Sequence, residues 1–233
     1  MPLSATYRAR RGELETYFDR TAAAAWARLT SEAPVSRIRA TVRAGRDRMR
    51  GTILSWLPSD MTGLRLLDAG AGTGALSVEA ARRGAEVVAI DLSPTLVNLA
   101  RERLPREFAA RIDFRVGDML DPALGAFDHV VAMDSLIHYR GPDVVGALTG
   151  LAARTRRSLV FTFAPRTPAL TVMHAAGRLF PRGDRAPAIE PVAEANLRRL
   201  IAAESGLAAW QPGRSERVAS GFYTSQAMEV VRR

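Results

Sequence analysis

Leu66-Leu67-Asp68-Ala69-Gly70-Ala71-Gly72-Thr73-Gly74 decides the fold of this chain. An apolar run ends in an acid, three alternating glycines follow, and Ala75-Leu76-Ser77-Val78 can open a helix. Backbone without Cβ atoms can approach a ligand closely and take left-handed conformations that side chains resist. Such a turn aims the unpaired N–H groups of a helix start at whatever binds. The stretch predicts a nucleotide-type cofactor site at the first strand-to-helix switch of an α/β sheet.

Strand and helix signals alternate on either side of it. Strands are expected at 64–69, 86–91, 111–116, 127–133 and 157–163. The second is near-continuously apolar, as a buried parallel strand should be. The third alternates polar and apolar residues, which places it nearer an edge. Helices are expected at 74–83, 94–104, 142–154 and 193–205; Ser93 is the N-cap of the second and Pro94 its first residue. Trp210 and residues 220–231 supply a closing antiparallel hairpin. Leu14, Tyr17, Phe18 and Trp26, then Val35, Ile38, Val42, Met49, Ile53 and Leu54, recur at helical spacing. Residues 1–60 therefore read as a helical arm or cap, and 61–233 as the sheet domain. The Pro- and Arg-rich 164–190 read as a substrate lid. The expected class is α/β and Rossmann-like: a seven-stranded, mostly parallel sheet with an antiparallel hairpin edge and an N-terminal helical cap.

At 233 residues, 47% hydrophobic and 24% charged, the chain has an ordinary globular balance. With no cysteine, disulfides, thiolate–metal sites and cysteine nucleophiles are excluded, and no resident metal is expected. The net charge is +9 and there is no lysine, so the fixed positive charge is all arginine. Arginine pairs bidentately with carboxylates and phosphates. The arginines are scattered, without a block of five, which argues against a nucleic-acid partner. Residues 1–11 lack the apolar core of a secretory signal, and no 18-residue apolar run occurs. A cytoplasmic protein, soluble or peripherally bound at a membrane, is the expectation.

Gly70-x-Gly72-x-x-Ala75 also satisfies the loose dinucleotide fingerprint. Three features oppose that reading. Asp68 would repel a pyrophosphate but welcome a cationic amino acid or sulfonium. Gly117-Asp118-Met119 offers an acceptor and an apolar wall suited to an adenine. No second mononucleotide half follows. The pattern resembles the class I S-adenosyl-L-methionine (SAM) methyltransferases, whose LDxGxGxG turn is Leu67–Gly74 here. The resemblance implies that Asp91 binds the ribose hydroxyls and Asp118 the adenine. The expected cofactor-binding set is Asp68, Gly70, Gly72, Thr73, Gly74, Asp91, Leu92, Asp118, Met119 and Met133.

The acceptor must be read outside that core. The fourth strand runs into Met133-Asp134-Ser135-Leu136-Ile137-His138-Tyr139, which is not the loop used by amino-methylating nucleic-acid enzymes. Four segments together resemble the magnesium-protoporphyrin IX O-methyltransferase family of (bacterio)chlorophyll biosynthesis. They are Tyr17-Phe18-Asp19…Trp26; Val35-Ser36…Ile38-Arg39…Val42-Arg43…Gly45-Arg46…Met49-Arg50; Met133–Tyr139; and Phe161-Thr162-Phe163-Ala164-Pro165-Arg166-Thr167-Pro168…Phe180-Pro181-Arg182. The resemblance implies methylation of one propionate of Mg-protoporphyrin IX, leaving S-adenosyl-L-homocysteine (SAH). It also implies the porphyrin-binding subunit of magnesium chelatase as a partner. The residues alone leave open another small acidic metabolite, or a non-catalytic SAM- or tetrapyrrole-binding scaffold. His138 and Tyr17 are the expected catalytic residues, orienting the acceptor. Ile137, Tyr139, Arg166, Met173 and Arg182 are the expected substrate contacts, with Arg185 a further candidate for the second propionate. Leu136, Leu170 and Phe180 join the apolar residues that can floor a macrocycle. Arg39, Arg43, Arg46 and Arg50 share roughly one helical face, open to anionic lipid, the chelatase subunit or water.

Overall fold

The computed structural model describes residues 4–21, 30, 36–166 and 188–233. Seven strands form one sheet: β1 (Arg65–Ala69), β2 (Glu86–Asp91), β3 (Ile112–Val116), β4 (Phe127–Ala132), β5 (Thr155–Phe163), β6 (Trp210–Ser220) and β7 (Tyr223–Arg232). Their order is β3-β2-β1-β4-β5-β7-β6. β1 to β5 are parallel, and β7 runs antiparallel between β5 and β6. The expected sheet, its hairpin and the edge position of β3 are all present.

Period-two alternation feeds two cores, one on each face of the sheet. Leu67, Val88, Ile90, Val130, Leu159 and Phe161 face one side. Leu66, Val87, Ala89, Val131 and Val160 face the other. The first face is covered by α1 (Ala5–Thr16), α5 (Gly141–Ala152) and α6 (Glu194–Ala203) through Tyr7, Leu14, Leu148, Leu151, Leu197 and Ile201. The second is covered by α2 (Arg37–Trp56), α3 (Ala75–Arg82) and α4 (Pro94–Arg103) through Met49, Ile53, Leu76, Ala80, Val97 and Ala100. The residues expected to form a single cap thus take two placements. α1 lies over the ends of the strands, whereas α2 is a sheet-covering helix with Met49 and Ile53 fully buried.

Local signals act where expected. Ser93 caps α4, accepting from the Leu96 N–H at 3.2 Å, with Pro94 in the first turn. β6 is longer than expected: besides Trp210 and Ser220, residues 211, 212 and 215–219 pair with β7, with an irregularity between Pro212 and Ser215. An edge strand with one solvated side needs no apolar run, and Pro212 is tolerated there. Strand order reverses direction between β1 and β4, so the loops after β1, β2 and β4 meet at one carboxyl edge. Trp26, Val35 and most of the expected lid, including Leu170, Met173, Phe180, Arg182 and Arg185, lie outside the described residues.

Candidate active site

The loop after β1 folds back on β2. The N–H groups of Gly70 and Ala71 both donate to the Ile90 carbonyl, at 2.8 and 3.0 Å. Gly70, Gly72 and Gly74 all have left-handed φ, at +87°, +56° and +78°. Their surroundings differ. A Cβ on Gly70 would stand 2.4 Å from Ser135 Cβ, and one on Gly74 would stand 2.8 Å from Phe114 Cζ. A Cβ on Gly72 would meet nothing within 4 Å. Two glycines therefore permit tight packing, and Gly72 leaves space where a ligand can lie against backbone.

That space belongs to a cavity of about 470 Å³ at the carboxyl edge. Asp68, Gly70, Gly72, Thr73, Asp91, Leu92, Asp118, Met119 and Met133 line it, as expected for the cofactor set; Gly74 does not, being turned to Phe114. Asp68 is buried and accepts from Ser77 Oγ at 2.6 Å. Burial pushes its pKa up to about 6, against the opposing Ser77 hydrogen bond. Asp91 accepts from the Gly72 N–H at 2.8 Å and the Ser93 N–H at 3.0 Å, leaving further lone pairs for a ligand. Its pKa is also raised by burial, opposed by those backbone N–H groups.

Asp118 holds partners that local sequence could not reveal. Arg11 Nη1 of α1 donates to Asp118 Oδ2 at 2.8 Å, and the Leu120 N–H donates to Oδ1 at 2.9 Å. One turn earlier in α1, Tyr7 stacks on Tyr139 with ring centroids 4.8 Å apart. Burial raises both phenol pKa values, so each stays a protonated donor. α1 thereby walls the cavity with Tyr7, Arg11 and Leu14.

On the other side stand Asp134, Ser135, His138 and Tyr139, from the segment after β4. His138 is 7% exposed, its Nδ1 lies 3.4 Å from the Ala188 carbonyl, and Phe18 meets its ring edge-on at 5.9 Å. Asp134 has φ of +53°, alone among the described non-glycine residues in being left-handed. Its backbone N–H donates to Thr162 Oγ1 at 2.7 Å. Its carboxylate accepts from Arg46 Nη1 at 2.7 Å, Tyr223 Oη at 3.1 Å and Ser225 Oγ at 3.1 Å. One buried acid thus ties α2, β5 and β7 to the end of β4, and a strained backbone persists only where it is so over-determined.

The glycine loop, the acids Asp68, Asp91 and Asp118 and the cavity between them suit a cationic nucleoside ligand, and similarity to known proteins gives the family. Residues 66–158 match a family described as methyltransferase domain, and residues 132–232 match one described as magnesium-protoporphyrin IX methyltransferase C-terminus. The chain is 52% identical over 220 residues to the magnesium-protoporphyrin O-methyltransferase of Rhodobacter capsulatus, covering 94% of this chain and 95% of that protein. The chain belongs to the magnesium-protoporphyrin O-methyltransferase family. The Synechocystis magnesium-protoporphyrin O-methyltransferase is 30% identical, over 93% of this chain and 94% of its own. The crystal structure of magnesium protoporphyrin IX methyltransferase from Synechocystis PCC 6803 with bound SAH superposes with a TM-score of 0.83, at 28% identity, covering 96% of this chain and all of that one.

Set in this methyltransferase family, the remaining expectations fall out unevenly. His138 and Tyr139 line the cavity; Tyr17, Ile137 and Arg166 do not. Tyr17 sits in a π-helical turn (Tyr17–Thr21), edge-on to Phe18 at 5.2 Å, and Phe18 is the ring that reaches the cavity. The Ile137 carbonyl accepts the Glu190 N–H at 2.9 Å, Arg166 is exposed, and Leu136 is fully buried in the core. Met173 and Arg182 lie outside the described residues. Arg43, Arg46 and Arg50 line the cavity, although sequence gave them only an outward face.

Proposed function

We propose that this chain transfers the methyl group of SAM to one propionate carboxylate of Mg-protoporphyrin IX, yielding the monomethyl ester and SAH. The observation that carries this is 52% identity, over 94% of this chain, to the magnesium-protoporphyrin O-methyltransferase of Rhodobacter capsulatus. The cavity suits SAM. Gly72 offers open space beside backbone, and Asp68 and Asp91 offer negative charge to a cationic ligand. In this reading Asp91 holds the ribose hydroxyls, Asp118 and Met119 the adenine, and Asp68 with Gly70, Thr73, Leu92 and Met133 the remainder.

Bound SAM supplies an electrophilic methyl on a positively charged sulfur. A propionate is already ionised at neutral pH, with a reference pKa of about 4, so no side chain needs to remove a proton. The work of the protein is positioning and dryness. Holding two groups in reacting geometry can lower a barrier by about 7–11 kcal/mol. Here His138 orients the acceptor carboxylate, Tyr139 walls it, and Phe18 closes over His138. Tyr17, off the cavity, packs edge-on against Phe18 in the same turn and supports that ring. Charge is neutralised along the path, which a water-poor site favours.

No helix among the described residues is long and apolar enough to cross a membrane. Peripheral membrane contact is supported by Ile38 and Phe222, which are 54% and 63% exposed. Gly221, beside Phe222, packs on Thr41 of α2, so both apolar tips flank one arginine-rich end of α2. The family resemblance adds the porphyrin-binding subunit of magnesium chelatase as a delivery partner. The deciding experiment incubates purified chain with methyl-labelled SAM and Mg-protoporphyrin IX. Label in a porphyrin methyl ester is the expected result; SAM binding without ester formation refutes the assignment.

A further inference from the structure

Charge around the cavity is partly paired: Asp118 with Arg11, Asp134 with Arg46, and Asp47 with Arg50. The sheet edge contributes the acids Asp68, Asp91 and Asp118. Helix α2 contributes Arg43, Arg46 and Arg50, at helical spacing that stacks them in one stripe. The stripe is held in register. A Cβ on Gly45 would stand 2.5 Å from Tyr223 Cδ1, so α2 is pressed against β7 there. Arg46 is tied to the buried Asp134, whose side chain is only 6% exposed. Arg43 and Arg50 flank this fixed point by one turn each way. Arg50 Nη2 contacts Asp47 Oδ1 at 2.8 Å, but that acid is 51% exposed and three residues away. Such surface helix pairs are worth little and exchange readily.

A porphyrin diacid brings two carboxylates to this cavity, and only one reacts. Asp68 and Asp91 at the sheet edge repel the other. The arginine stripe matches it, because a guanidinium engages a carboxylate through two parallel N–H bonds. We propose that Arg43 and Arg50 of α2 hold the carboxylate that is not methylated, making the site selective for a diacid and fixing which end of the acceptor faces the donor. This inference rests on the porphyrin reading above, and it moves the anion anchor from Arg166, which is exposed and off the cavity, to α2.

The test compares kcat/KM for two Mg-porphyrins, the diacid and an analogue whose second propionate is replaced by its methyl ester. The parent protein should favour the diacid by about 10- to 100-fold, the value of a charge-assisted hydrogen-bonded contact. Arg43→Gln with Arg50→Gln should reduce that preference to about threefold or less through a higher KM for the diacid, with SAM affinity unchanged. Arg43→Lys keeps the charge but not the fork, and should retain an intermediate preference with a normal fold. A parent protein that turns over both acceptors equally overturns the inference. So does a double variant that keeps the full preference. If the parent methylates neither acceptor, the porphyrin reading itself fails, a distinguishable result.

Discussion

Lowering the pH should weaken SAM binding through Asp68. This carboxyl is 2% exposed, lines the cavity, and has its pKa raised to about 6 by burial. A positively charged ligand favours the ionised form, so protonation removes part of what the ligand binds. The sign follows directly: affinity is full above the raised pKa and falls as pH drops through it. With a pKa of about 6, roughly nine-tenths of the free protein is ionised at pH 7 and roughly one-tenth at pH 5. SAM affinity should therefore fall about tenfold between those values, equivalent to about 1.4 kcal/mol. Isothermal titration at constant ionic strength reads it. Asp68→Asn can still accept from Ser77 Oγ and should bind SAM more weakly at pH 7 with a flattened pH profile. Affinity that stays level from pH 7 to pH 5 in the parent refutes the reasoning. An equally steep fall in Asp68→Asn transfers the effect to Asp91, the other cavity acid with a raised pKa.

Three further outcomes are expected. His138→Ala should cut kcat about tenfold or more, the loss of one hydrogen bond to a charged acceptor, while SAM affinity changes less than about twofold; equal losses in both would take His138 off the acceptor side. Gly74→Ala should lower the urea midpoint more than Gly72→Ala, because only the former drives a methyl into Phe114, whereas Gly72→Ala should cost more SAM affinity by filling the open side of the loop. Asp134→Ala should destabilise the fold by about 3–5 kcal/mol in urea unfolding, since it removes the one buried carboxylate to which Arg46, Tyr223 and Ser225 all donate; a loss under about 1 kcal/mol would mean that the network holds nothing together.

The donor half of the site is legible in sequence because it is written in backbone. Alternating glycines demand left-handed turns, Asp91 ends β2, and Asp118 lies two residues past β3. His138 is found the same way, since a residue just after β4 must reach the carboxyl edge. The other wall is not local. Arg11 meets Asp118 across 107 positions, and nothing near either residue announces the pair. Phe18 rather than Tyr17 faces the cavity because the π turn sets the rotation of that pair, which spacing rules for α-helices do not supply. The arginine face of α2 was visible as a pattern, but its direction depends on Met49 and Ile53 entering the core beside it. Asp134 was part of a recognised segment, yet its role comes from Arg46, Tyr223 and Ser225, each far away in the chain.

Helix α1 has an unusual place in the order of assembly. It precedes every strand in the chain, but its landing points are Asp118, Tyr139 and Asp143, the last of which accepts Thr6 Oγ1 at 2.9 Å across 137 positions. Contacts so distant along the chain are slow to form. Until β4 and α5 leave the ribosome, this segment has no surface to rest on. A helix made before the sheet is thus docked after β1 to β4, and the cavity gains this wall only once the strands beneath it exist.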